Sequence, residues 1–395
     1  MKIAIVIPTA WYSDNPSKFS VDLGLYIQAI TDSGHEPILI CGQNSVYDVS
    51  YPVLSATLEE IEQEQFWRDL SLDVAIVFTW LRHPKILRAL GSAKVYTVSR
   101  ADMDGQLSVR VFPLHHYRMT MNGLRNPWDK LRNFRHWVRR YIKLSRQADQ
   151  EVIDSIVAAD AIMIETTTAK RRLEQFLTYY RMTELREKIF VQPHYVADDL
   201  LSCDVVTTRL NKIVAIGRWE DPQKDAILMS AALDIYLAKR PDTKVVLIGS
   251  NGAEVFASLL KKYQNVHCIG VIPRADIRQH LSDCRILLST SLWEGAPVSA
   301  SETLSLGGTI VGPAIPGIEG FCLTGQFGNV SMSRRPVHVV QAIEEEMAAW
   351  ENGERNPEEI ANHWRPKLSA INSIKQIVQM ATQHQHSTPP TLLLN

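Results

Sequence analysis

A chain of 395 residues exceeds what one ordinary hydrophobic core organises, so two or three domains are expected. With 45% hydrophobic and 22% charged residues it has the make-up of a soluble globular protein. A net charge of −1 excludes a chain-wide electrostatic pull toward nucleic acid or acidic surfaces, so any charge specialisation must be local. Five cysteines, Cys41, Cys203, Cys268, Cys284 and Cys322, are scattered and never form a C-x-x-C pair. That pattern argues against a disulfide framework and a structural zinc site, and for a reducing compartment. No apolar run approaches the roughly 18 residues of a membrane span. The opening MKIAIVIPTAW has neither the length nor the cleavage site of a signal peptide and reads as a strand, so a cytoplasmic protein is expected.

In chain order, KIAIVI, EPILIC, DVAIVF, AKVYTVS, DAIMIE and KIFVQP are short aliphatic runs. Such near-continuous apolar character suits parallel strands covered by helices on both faces. Helical patterns lie between them, among them KFSVDLGLYIQAITDSG, which closes on Ser-Gly. The alternation stops in the polar stretch HYVADDLLSCDVVTTRLN and restarts with NKIVAIG, KVVLIG, VHCIG, RILLST and GTIVG. The expected fold is α/β, with two Rossmann-like doubly wound domains facing across a cleft. Their expected bounds are 1–195 and 211–365, with a linker at 196–210. A helical segment at 366–385 is free to cross back to the first domain, and 386–395 reads as a flexible tail.

Two motifs in the second domain carry chemistry. KIVAIGRWEDPQKD ends a strand near Gly217 and sets Arg218 and Lys224 in a loop before a helix. Two cations beside a helix N-terminus make a site for an anion such as a diphosphate. SLWEGAPVSASETLSLGG places Glu294 before a turn and Glu302 in a helix, eight positions apart, which is not a helical salt-bridge interval. Gly295 and Ala296 permit close approach of a ligand to the backbone, and Pro297 suits the first helical turn. The two carboxylates can then accept from hydroxyls at separate parts of one extended ligand. Taken singly, each motif is better read as ordinary solvated loop and helix charges.

Together, G-R-x(5)-K followed by E-x(7)-E in this order resembles the carboxyl-terminal half of retaining glycosyltransferases of the GT-B fold, in particular glycosyltransferase family 4. The segments VLIGSNG, VHCIGVIPRADIRQHLSDCRILLSTS and GTIVGPAIPGIEGF follow the same course, so the resemblance covers about residues 210–325 well. It implies a metal-independent hexosyltransferase without a cofactor, using a nucleotide sugar (UDP-sugar favoured) as donor substrate. Arg218 and Lys224, beside Gly217, would bind the donor diphosphate and stabilise it as leaving group. Glu302 would hold the ribose, and Glu294 the transferred sugar. The backbone of Gly295, Ala296, Pro297 and Val298 would line sugar and phosphate, and that near Ile272 would contact the base. No D-x-D metal-binding triplet occurs in the donor domain, in keeping with this implication.

The first half departs from the family pattern. Thr9 and Ala10 stand where a glycine-rich loop is usual, and Ser99, Arg100 and Asp102 stand near the place of a cleft histidine. His115 and His116 are candidate imidazoles on the acceptor side, although such a pair also suits a solvated or structural role. A glycan, a lipid-linked alcohol or a small molecule would serve as hydroxyl acceptor. Two rivals fit the same motifs: a nucleotide-sugar epimerase or sugar-phosphate synthase, and a catalytically quiet nucleotide-sugar binder.

From Arg110 to Arg146 there are ten Lys or Arg residues against one acid, Asp129. Over 128–146, Arg132, Arg135, Arg139, Arg140, Lys143 and Arg146 share one helical face, opposite Leu131, Phe134, Trp137, Val138, Tyr141 and Ile142. Such a helix either packs its apolar face on the core and wets its basic face, which is the commoner case, or lies on an anionic membrane, here the inner face. A basic surface that steers an anionic acceptor is a third use. Nucleic acid is not expected, because no binding motif accompanies the patch.

Overall fold

The computed structural model describes residues 1–8, 23–42, 51–79, 81–101, 104–122, 127–139, 141 and 145–387. The first sheet holds β1 (Lys2–Ile7), β2 (Glu36–Cys41), β3 (Val53–Ser55), β4 (Val74–Phe78), β5 (Tyr96–Ala101), β6 (Ala161–Ile164) and β7 (Ile189–Val191). Their order is β3-β2-β1-β4-β5-β6-β7, all parallel. The second holds β8 (Leu210–Ile216), β9 (Lys244–Ile248), β10 (Val266–Gly270), β11 (Cys284–Leu288), β12 (Thr309–Pro313) and β13 (Gly328–Ser331). Its order is β10-β9-β8-β11-β12-β13, again parallel. Two doubly wound α/β domains result, as the repeated strand–helix alternation implies.

Strand pleating explains the aliphatic runs. Ile3, Ile5 and Ile7 enter one apolar cluster, while Ala4 and Val6 enter the other on the opposite face. The first cluster is completed by Ala370, Ile374, Ile377 and Ala381 of helix Ala370–Ser387. The chain thus leaves the second domain and covers a face of the first sheet. It is fastened there by Tyr195, whose hydroxyl donates to Ser373 Oγ at 2.7 Å, and by Gln192, whose amide donates to the Lys367 carbonyl at 2.8 Å. The second domain has one large cluster, built from β8, β9, β11 and β12 with helices Ala226–Lys239, Pro336–Glu351 and Pro357–Leu368.

Some local expectations change. Strands β3 and β13 were not foreseen, because three- and four-residue edge strands with partly exposed side chains leave no aliphatic run. The stretch 196–210 is not irregular throughout: helix Asp198–Ser202 lies in it, and Val196 and Leu200 join the second core. The helix read from KFSVDLGLYIQAITDSG is seen as Gly24–Asp32 with Leu23 at its N-cap, residues 18–22 lying outside the described set. No helix among the described residues is long and apolar enough to cross a membrane.

Candidate active site

Strands β8 and β11 are neighbours at the point where the order of the second sheet reverses. Loops leaving the carboxyl ends of two such strands diverge to opposite faces and leave a crevice between them. Here those loops are 217–225 and 289–297, which carry the two motifs. Their backbones are stitched together: Leu292 N donates to Gln223 O at 2.7 Å, Gln223 Nε2 to Trp293 O at 2.7 Å, and Thr290 Oγ1 to Lys224 O at 2.8 Å.

Lys224 ends the short 3-10 turn Pro222–Lys224, which Asp221 caps by accepting from Gln223 N at 2.9 Å. Its ammonium donates to Glu294 Oε1, and Ser291 Oγ donates to the same oxygen at 2.8 Å. Both side chains of the pair are mostly shielded, 20% and 13% exposed. Gly217 matters because a Cβ there would press on Lys224 Cγ at 3.1 Å. Arg218 is more open and donates to Asp221 Oδ2 at 2.8 Å. Burial pushes the Asp221 carboxyl up, but the Gln223 amide, Arg218 and Lys224 together hold it below the usual range.

Glu294 and Gly295 are pressed between two walls. A Cβ on Gly295 would fall 1.9 Å from Glu165 Oε2 of the first domain, and one on Gly317 would fall 2.6 Å from the Gly295 carbonyl. Only glycine at both places lets the loop pass between the end of β6 and helix Pro316–Cys322. A second link joins the domains there, from Thr166 Oγ1 to the Pro316 carbonyl at 3.2 Å. Ala296 is buried, and Pro297 takes the N-cap position just before helix Val298–Ser305, rather than a place inside its first turn. The helix closes with Gly308 N to Thr303 O and Gly307 N to Leu304 O, and Gly307 has φ +85°.

Glu302, deep in that helix, is only 5% exposed and accepts from Arg274 Nε at 2.8 Å. Burial raises its carboxyl above the usual range, and Arg274 only partly offsets this. Arg274 opens helix Arg274–Leu281 two residues after Ile272, which packs half-buried against the second core. Ile272, Arg274 and Glu302 are therefore one neighbourhood, separate from the Lys224–Glu294 pair but on the same helix–loop unit.

The acceptor-side candidates fare differently. Ser99 is fully buried and lies 3.2 Å from Thr79 Oγ1, internal to the first domain. Arg100 is likewise internal: 1% exposed, packed over the Tyr26 and Phe78 rings and 2.8 Å from His194 Nδ1. His194 Nε2 in turn meets Glu165 Oε1 at 2.6 Å, so a buried polar chain backs the Gly295 contact. Both residues lie on β5, in the middle of the first sheet, which accounts for their burial. Thr9, Ala10 and Asp102 lie outside the described residues.

His115 does reach the junction. It lines a cavity of 760 Å³ together with Leu114, Arg172, Leu292, Glu319 and Arg334. Its Nε2 lies 2.9 Å from Asp104 Oδ2. Burial pushes the Asp104 carboxyl up, but His115 and the Gln106 amide outweigh this and hold it low. His116 turns away, its Nε2 2.8 Å from the Gln106 carbonyl.

Four contributors escaped the sequence. Arg334 donates to the Ser291 carbonyl at 2.8 Å, to Asp225 Oδ2 at 2.7 Å and to the Thr290 carbonyl, so it clamps both motif loops. Arg274, Glu165 and Gly317 are the others. Each acts across a long sequence separation; the nearest available signal was the Arg334-Arg335-Pro336 run after β13.

Residues 211–348 match the family described as Glycosyl transferases group 1. A search of curated protein sequences returns no match. Several solved structures share the fold over nearly the whole chain. One is a lipopolysaccharide outer core galactosyltransferase, WaaB, in its apo form, at 14% identity over 98% of this chain and 100% of that one, TM-score 0.63. A glycosyltransferase from Rickettsia africae gives 11% identity, 98% and 99% coverage and TM-score 0.64. HepE from Anabaena in complex with UDP gives 14% identity, 98% and 99% coverage and TM-score 0.57. The chain thus resembles GT-B glycosyltransferases as its motifs implied: it has their two-domain fold, and its second domain matches the glycosyl transferases group 1 family.

Proposed function

We propose that this protein transfers a hexose from a nucleoside diphosphate sugar to a hydroxyl acceptor, with retention at the sugar carbon and without a metal ion. The observation that carries this reading is the convergence of Lys224, Glu294 and Ser291 at the switch point of the second sheet, directly against the first domain. Lys224, helped by Arg218, neutralises the diphosphate. Glu294 accepts from hydroxyls of the bound sugar, and the turn at Gly295, Ala296 and Pro297 with the amide of Val298 flanks it. Glu302 accepts from the ribose once Arg274 yields, and the backbone at Ile272 meets the base. In the reaction, the bond from the sugar carbon to the phosphate oxygen breaks and its electron pair stays on the diphosphate. The acceptor oxygen forms the new bond on the same face and passes its proton to the leaving phosphate oxygen. Fixed cations that meet this developing charge act as preorganised electrostatic stabilisation. UDP is the favoured nucleotide, in keeping with HepE, which shares the fold and was solved with UDP and with UDP and glucose.

The test is a panel of UDP-, GDP- and ADP-sugars offered to purified protein, read by thermal shift and by release of nucleoside diphosphate. One donor should raise the melting temperature with concentration and be consumed. Stabilisation without consumption under any acceptor would leave a binding protein, and neither effect with any donor would remove the proposal.

A further inference from the structure

Helices Pro113–Asn122 and Pro127–Arg139 pack on each other as a hairpin of the first domain, through contacts such as Tyr117 with Trp137. The basic helix was expected to bury its apolar face on the core. It does so only in part: Trp137 and Val138 are half-buried, whereas Trp128 is 77% exposed and Leu131 and Phe134 are also open. Leu114, on the partner helix, is exposed as well. Trp128, Arg132, Arg135 and Arg139 follow i, i+4, i+7, i+11 spacing and so share one face, and Leu131 lies beside that face rather than opposite it as expected. Arg140, Lys143 and Ile142 lie outside the described residues.

We infer that this hairpin docks the protein on an anionic lipid bilayer. Charge complementarity favours that partner. The segment 110–146 holds ten of the 42 cations and one of the 43 acids, which leaves 32 cations against 42 acids elsewhere. The positive charge is therefore concentrated here on an otherwise acidic chain. Aromatic and leucine side chains among arginines suit a headgroup region, where rings and aliphatic chains enter the acyl boundary and guanidinium groups stay with phosphates. A nucleic acid would satisfy the arginines but give Leu131 and Leu114 nothing apolar to enter. The same hairpin lines the 760 Å³ cavity through Leu114 and His115. Docking would bring the cavity mouth to the lipid surface and present it to a hydroxyl acceptor carried on a lipid. That last step rests on the proposed transferase reading; the docking itself does not.

The test uses the full chain with phosphatidylcholine vesicles, with or without about a third phosphatidylglycerol, read by co-sedimentation. Binding should need the anionic lipid and weaken as salt rises. Each cation near such a surface strengthens partition about fivefold, so Arg132→Glu/Arg135→Glu/Arg139→Glu should lower it by a hundredfold or more. Trp128→Ala/Leu131→Ala should lower it about tenfold while leaving the salt dependence in place. Circular dichroism and UDP titration of each variant report whether fold and donor site persist, so loss of docking and failure of the transferase reading are distinguished. Equal binding to neutral and anionic vesicles, or no effect of either variant set, would overturn the inference. Tighter binding to duplex or single-stranded nucleic acid, insensitive to Trp128→Ala/Leu131→Ala, would overturn it in favour of that partner.

Discussion

Replacing Gly295 by alanine tests whether the Glu294 loop is held against the first domain. The new Cβ would lie 1.9 Å from Glu165 Oε2 and 2.9 Å from its Cδ, where real Cβ contacts stay beyond 3.0 Å. Either the loop or the carboxylate must therefore move by more than 1 Å, the difference between those distances. The carboxylate has little freedom, being 2% exposed and engaged by His194 Nε2 at 2.6 Å. The loop cannot retreat either, because Gly317 already sits against the carbonyls of Glu294 and Gly295. Overpacking of this kind costs about 1–3 kcal/mol. Melting temperature should then fall by a few degrees, at roughly 2–4 °C per kcal/mol for domains of this size. Turnover should fall further, since a displacement of about 1 Å at a reacting group can cost a hundredfold. Gly91→Ala is the matched control, because its Cβ meets nothing within 4 Å and helix Pro84–Ser92 should gain slightly. Calorimetry and donor-consumption assays on both variants give the reading. Wild-type melting and wild-type turnover in Gly295→Ala would refute the packing described.

Three further outcomes are expected. Glu294→Ala should lower turnover about a hundredfold, the scale for one positioned electrostatic group, with melting little changed; initial rates at saturating donor check this. Donor affinity should depend on pH through Glu302, which accepts a ribose hydroxyl bond best as a carboxylate. Because burial raises its pKa, binding should begin to weaken on acidification while pH is still above the ordinary carboxylate range, and Glu302→Gln should flatten that profile in a UDP titration. The stability effect has the opposite sign, since the cost of burying the charged form is relieved as pH falls through the raised pKa. Arg334→Ala should lower stability by about 1–3 kcal/mol by leaving the Thr290 and Ser291 carbonyls without their donor, measured as a shifted denaturant midpoint.

The fold was largely legible because central parallel strands must be apolar on both sides, which writes them as aliphatic runs such as KIAIVI and KVVLIG. Strands β3 and β13 escaped because an edge strand needs no such run. The two motifs of the second domain were legible as spacings, since Gly217, Lys224 and Glu294 lie on loops that leave adjacent strands of a standard sheet order. What holds them was not. Arg334 reaches Asp225 across 109 positions, and Glu165 comes from the other domain, so no local pattern announces either. The burial of Ser99 and Arg100 was not legible either, because it depends on the neighbouring strands and on Tyr26, Phe78 and His194, all distant in sequence. For the basic helix a covered apolar side was only the commoner of the readings left open, and Trp128 and Leu131 are exposed because the helix packs mainly on its hairpin partner rather than on the sheet.

The most direct measurement is a calorimetric titration of UDP into the wild-type protein and into Lys224→Ala. A single saturable site in the wild type, weakened at least tenfold in the variant with the fold intact, is the expected result. Absence of binding, or equal affinity in both proteins, would contradict the placement of a diphosphate at the junction of these two loops.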